Sequence, residues 1–180
     1  VLADGGAFYY GSAIGQYREA LGALGHTWDE IIVKQVPRDT PTLTRLLGYD
    51  ALVWSAPFDS PGIIGAGAAL SGYLATGGRL ILSGQDIGYY DSGWFGIEPY
   101  FRLLNVVWEG DDARTQRVVG EPATSWAGLA YTIAGGTGAN NQFTPDQFRI
   151  ADGDFTTTLS RYTGPGLSNS DTSGVFTGQC

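Results

Sequence analysis

Residues 70–88, LSGYLATGGRLILSGQDIG, carry a helix end, a strand and a sharp turn in one continuous stretch. Ile63, Ala66, Leu70, Tyr73 and Leu74 recur at the spacing of one apolar helix face, started by Ser60-Pro61 and stopped by Gly77-Gly78. Arg79 to Ser83 then reads as a strand, and Gly84-Gln85-Asp86-Ile87-Gly88 as the turn that leaves it. The same alternation extends toward the N-terminus. Residues 50–55 (DALVWS) form the preceding strand, and Thr40-Pro41 starts a short helix that Gly48 ends, with Thr as cap and Pro at the first helical position. Thr27 to Val33 gives another strand. Ile14, Tyr17, Leu21 and Leu24 mark a helix closed by Gly25, and Val1 to Asp4 opens the chain as a short buried strand.

Strands separated by helices of this length pair in parallel through right-handed crossovers, because each helix must cover one face of the sheet. The prediction is an α/β fold, doubly wound and mostly parallel, flavodoxin-like, with strand order 2-1-3-4 for residues 1–4, 27–33, 50–55 and 79–83. After Tyr89 the rhythm degrades. A helix is expected over 98–104 and a strand over 105–108, and residues 111–144, rich in Gly, Thr and Asn, read as an irregular excursion with short β pieces. The expected domain covers residues 1–163. Residues 164–180, with Val175-Phe176 their only apolar pair, read as a loosely packed tail.

Composition narrows the functional classes. A chain of 180 residues suits one domain. No apolar run approaches the ~20 residues of a membrane-spanning helix, so no membrane insertion is expected. A net charge of -8 with a single lysine, Lys34, repels phosphate backbones and argues against a nucleic-acid partner. Val1-Leu2-Ala3 reads as the tail of a strand already under way, which implies a piece of a longer protein.

The turn at 84–88 has the form Gly-x-nucleophile-x-Gly, in which small flanking residues let a strained central residue thrust its side chain out of the sheet. Here that residue is Asp86. Serine or cysteine would point to acyl transfer, which needs a base within hydrogen-bond reach. The single histidine, His26, follows the helix-ending Gly25 and falls at the opposite edge of the sheet, and the single cysteine, Cys180, is the last residue. Three readings of Asp86 stay open: an acceptor for backbone N–H groups of the turn, which is favoured, a ligand-binding group, or a covalent nucleophile.

The segments ADGGAFY (3–9), ALGALGHTWD (20–29), LLGYDALVWSAP (46–57), residues 70–88 above, FRLLNVVWEGDD (101–112) and TGANNQFTPDQF (137–148) resemble the class I glutamine amidotransferase-like domains appended to large secreted bacterial and archaeal proteins, often extracellular peptidases. In catalytic members of that superfamily a cysteine stands at the turn after the matching strand. The resemblance puts Asp86 in its place, and implies an extracellular or cell-surface setting and other domains of a parent polypeptide as partners.

Other groups gather at the same strand-end edge: Asp4 after the first strand, Ser55, Pro57 and Asp59 after the third, and Gln85, Asp86, Tyr89, Tyr90 and Asp91 after the fourth. They would make an acidic, tyrosine-lined crevice suited to a carbohydrate ring or an arginine-bearing peptide. Asp111-Asp112 and Asp152-Gly-Asp154 are oxygen-rich, but neither follows a calcium-loop pattern, and one His with one Cys makes no zinc site. Neither a metal nor another cofactor is expected. The expectation is therefore a non-catalytic accessory or interaction module acting through the crevice. The alternative is a hydrolase of amides, esters or glycosides working through crevice carboxylates such as Asp86.

Overall fold

The computed structural model describes residues 1–9, 11–57, 63–94, 96–134, 142–164 and 173–178. Four strands, β1 (Leu2–Asp4), β2 (Glu30–Ile32), β3 (Ala51–Ala56) and β4 (Arg79–Gly84), form a sheet in the order β2-β1-β3-β4. Every adjacent pair is parallel, as the sequence rhythm predicts, with Asp4 opposite Ile32 on one side and Ser55 on the other.

Alternation along the strands sends side chains to two covered faces. On one face Leu2 and Val53 pack against Ile14, Tyr17 and Leu21 of α1 (Ile14–Ala23). On the other, Ala3, Leu52 and Trp54 meet Leu46 of α2 (Leu43–Leu46), Leu70, Tyr73 and Leu74 of α3 (Gly67–Ala75), and Tyr100 and Phe101 of α4 (Pro99–Leu103). These three helices cover the main core. Replacing a fully buried leucine there, such as Leu70, with alanine should cost about 2–5 kcal/mol. On the α1 face β4 lies at the sheet's end with Ile81 61 % exposed.

Helix ends follow local chemistry, with shifts from expectation. Gly25 takes φ +74 and closes α1, with the His26 amide reaching back to the Leu21 carbonyl at 3.0 Å. The cap of α2 is Thr42, not Thr40: Thr42 Oγ1 accepts the Arg45 amide at 3.3 Å, whereas Thr40 Oγ1 donates to the Pro37 carbonyl. Of the expected α3 start, Ser60-Pro61 lies outside the described residues. The helix itself begins at Gly67, after Gly65 at φ +66, so Ile63 and Ala66 precede it. Gly77, at φ +84, ends it.

The largest departure is the second half. One six-stranded antiparallel sheet is formed by β5 (Val106–Gly110), β6 (Arg117–Gly120), β7 (Ala130–Thr132), β8 (Gln147–Ile150), β9 (Thr156–Tyr162) and β10 (Ser173–Gly178), ordered β5-β8-β10-β9-β6-β7. The excursion expected over 111–144 does hold short strands, β6 and β7, but as members of this sheet. The tail expectation is corrected with it, because β10 pairs on both sides, with β8 and β9, through its backbone. Residues 165–172 and 179–180 lie outside the described residues. The two sheets share apolar contacts: Val106 and Phe148 pack on the main core, and the Phe148 ring stacks on Phe101 at 5.8 Å.

Candidate functional site

The turn after β4 is shaped by what surrounds it. A Cβ on Gly84 would lie 2.4 Å from the Ala56 carbonyl oxygen, and one on Gly88 would lie 2.5 Å from Phe148 Cζ and 2.7 Å from Trp108 Cδ1. Both glycines are thus required by close packing, Gly84 against β3 and Gly88 against the second sheet. The strain expected at the central residue is absent. Among the described residues only Asn105 and Arg114 are non-glycine positions with positive φ. Asp86 instead enters a helical turn, its carbonyl accepting the Tyr90 amide at 3.2 Å, and a π-helix follows over Tyr89–Trp94.

The described acidic residues of the crevice expected at this edge are closed to solvent. Asp4, Ser55, Gln85, Asp86 and Asp91 are all buried, Asp86 being 3 % exposed, and Pro57, Tyr89 and Tyr90 are half-buried. A segment from the second half, residues 142–146, lies across the turn. Gln142 Nε2 donates to the Pro57 carbonyl at 3.1 Å, the Phe143 amide to Gln85 Oε1 at 2.7 Å, and the Asp146 amide to the Gln85 carbonyl at 3.1 Å.

Asp146 completes this seal, and the sequence reading missed it. Its Oδ2 accepts the Gly88 amide at 2.6 Å, while its Oδ1 accepts the Tyr89 amide at 3.0 Å and Trp108 Nε1 at 2.6 Å. The residue is 3 % exposed. Desolvation pushes its carboxyl up to about 7, against the opposing pull of the three donors, and the Asp111 charge adds to the rise. No motif marks it. Pro145-Asp146 reads as ordinary turn chemistry, and only the fold brings it to Gly88.

The remaining candidates separate. Asp4 and Ser55 are register partners on β1 and β3, and Asp4 Oδ1 makes no hydrogen bond among the described residues. Asp91 belongs to the core side. Its Oδ2 accepts the Tyr100 hydroxyl at 2.6 Å and the Ile64 amide at 3.3 Å, and desolvation raises its carboxyl to about 6. Burial and the Asp91 charge push the Tyr100 hydroxyl well above its usual range. Tyr89 meets Tyr90 edge-on at 5.1 Å and Trp108 at 6.0 Å. Asp59 lies outside the described residues, as does Cys180.

His26 is exposed and precedes β2, whereas Asp86 follows β4. In a parallel sheet those positions are opposite edges, so the imidazole cannot serve Asp86 as a base. The acidic pairs close turns. Asp112 Oδ1 accepts the Arg114 amide at 2.7 Å, and Asp152 Oδ1 accepts the Asp154 amide at 3.0 Å. Among the described residues, no three His, Cys, Asp or Glu side chains cluster closely enough to hold a metal ion, and no helix is long and apolar enough to cross a membrane. The chain matches no family model, and no curated protein or solved structure is significantly similar to it.

Proposed function

We propose that this chain is a non-catalytic α/β module of flavodoxin-like, amidotransferase-like build, an accessory or interaction domain of a larger secreted protein. The observation that carries the non-catalytic part is the sealed strand-end turn. The residue in the nucleophile's place, Asp86, is buried, the chain's own residues 142–146 are bonded to its neighbours Gln85, Gly88 and Tyr89, and the one histidine stands at the opposite edge. Nucleophilic catalysis needs a base, oxyanion donors and access for substrate. Among the described residues, the histidine is at the far edge, the Gly88 and Tyr89 amides are taken by Asp146, and Asp86 is closed to solvent. The parallel order β2-β1-β3-β4 with helices on both faces supports the flavodoxin-like part. The extracellular setting and the partner domains rest on the resemblance of the quoted segments.

The hydrolase reading draws on one observation, the Asp146 carboxyl raised to about 7, a value suited to proton donation. All three of the hydrogen bonds it accepts go to the chain's own donors, which assigns it to holding the turn. The test is turnover by the isolated 180-residue chain on glutamine, ester and glycoside substrates, with Asp86→Asn as the control. None is expected, because a carboxylate closed to solvent, with the chain's one histidine at the opposite edge, supplies little of the ~8 kcal/mol that even a ~10⁶-fold acceleration demands. Turnover abolished by Asp86→Asn in a folded protein would overturn the reading.

A further inference from the structure

A shallow hollow of about 380 Å³ opens beside the second sheet, lined by Asp112, Arg114, Thr115, Gln116 and Phe143. Its backbone is firmly held. Ala113 is fully buried, with its amide on the Pro145 carbonyl at 3.1 Å, and Gln147 Nε2 donates to the Asp112 carbonyl at 2.5 Å. Within this turn Arg114 takes φ +52, a conformation that glycine or asparagine adopts at lower cost. The turn itself therefore gives no reason for an arginine; the guanidinium it places at the hollow does.

The lining has unused polar capacity. Thr115 Oγ1 donates to the Thr163 carbonyl at 2.7 Å and Gln116 Nε2 to the Gln142 carbonyl at 3.0 Å. The Arg114 guanidinium, Asp112 Oδ2 and Gln116 Oε1 have no such partner among the described residues. Beside them Phe143 is 65 % exposed, although its backbone is fastened to Gln85.

Charge and shape select the ligand class. Arg114 is offset by Asp112 and the adjacent Asp111 in a chain of net charge -8, so a free anion gains little here. A wholly apolar ligand would desolvate three planar polar groups without pairing them. A neutral polyol satisfies both constraints. Planar carboxylate, guanidinium and amide groups pair with neighbouring hydroxyls, and an exposed aromatic ring covers the apolar C–H face of a sugar. We propose that this hollow binds a neutral carbohydrate of one or two pyranose rings. The site is distinct from the sealed turn and gives the module a ligand that the accessory reading does not name.

Calorimetric and NMR titration of the 180-residue chain with glucose, galactose, mannose, N-acetylglucosamine and β-1,4-linked glucose disaccharide tests it. Saturable binding of at least one sugar is expected, with an affinity on the order of millimolar for so open a site. Phe143→Ala and Arg114→Gly should each weaken it at least about tenfold without unfolding the chain, since Phe143 is exposed and glycine accepts the Arg114 backbone. Absence of saturable binding by every sugar overturns the proposal. So does binding that both variants leave unchanged, or preference for acetate or an arginine-containing peptide over every sugar. Hydrolysis of a bound sugar would uphold the site and overturn only the non-catalytic reading.

Discussion

Gly88 and Phe148 face one another with no room for a methyl group between them, a Cβ on Gly88 falling 2.5 Å from the Phe148 ring. Gly88→Ala should therefore push the turn away from the second sheet and destabilise the protein by about 1–3 kcal/mol. Gly15→Ala is the opposite case. It lies in α1 with nothing near a built Cβ, and the lower helical entropy cost should raise stability by roughly 0.5–1 kcal/mol. Urea unfolding of both variants checks the pair, and an equal effect from the two would refute the packing argument.

Asp146→Ala should be among the most damaging single changes. It leaves the Gly88 and Tyr89 amides and Trp108 Nε1 without their shared acceptor, and each unsatisfied buried donor costs about 1–3 kcal/mol. A loss of about 3 kcal/mol or more in chemical denaturation is expected. A loss below about 1 kcal/mol would mean that the seal contributes little.

The pH dependence has a definite sign. Asp146 and Asp91 are raised in the folded protein to about 7 and about 6 from an ordinary 3.8, so the folded chain holds protons that the unfolded chain has released. Their contribution to stability is fully present below about pH 4 and is lost as pH rises through 6 to 7. Glu30, drawn down to about 2 by Arg18 and Trp28, acts in the opposite sense but only in more acid solution. Between pH 5 and 8 the wild type should lose stability relative to an Asp91→Asn/Asp146→Asn double variant, whose amides do not titrate. Parallel curves for the two proteins over that range would contradict the assignment.

The ion pair of Arg18 with Glu30, at 2.7 Å, sits in solvent. Its removal by Glu30→Gln should change stability by less than about 1 kcal/mol, and less still in high salt. A larger loss in thermal unfolding would show that this pair is worth more than an ordinary solvent-exposed one.

The parallel half was legible because its strands are apolar runs between helical stripes with glycine stops, as at Leu70 to Gly84. The antiparallel half was not, for a physical reason visible in β9. Its inward positions are Thr156, Thr158, Ser160 and Tyr162, so the buried face is built of hydroxyls and shows no apolar alternation. β10 carries glycines and a single apolar pair, which resembles a linker until β8 and β9 flank it. At the site, Gln85 and Asp86 could be placed from the strand end, but not the bonds that fasten Gln85, because the segment that makes them lies far along the chain.

That separation has a kinetic meaning. The Gly88 and Tyr89 bonds to Asp146 and the Phe143 bond to Gln85 join residues 57 to 58 positions apart, and the Gln142 bond to Pro57 spans 85. Contacts this remote form late, since loop-closure entropy must be overcome before they are gained. All four parallel strands precede the second sheet in the chain, so they can assemble before residue 146 arrives, leaving Gln85 without these bonds in the interval. The closing of the turn over Gln85 is thus among the final events of folding. Its loss, as in Asp146→Ala, should speed unfolding far more than it slows refolding.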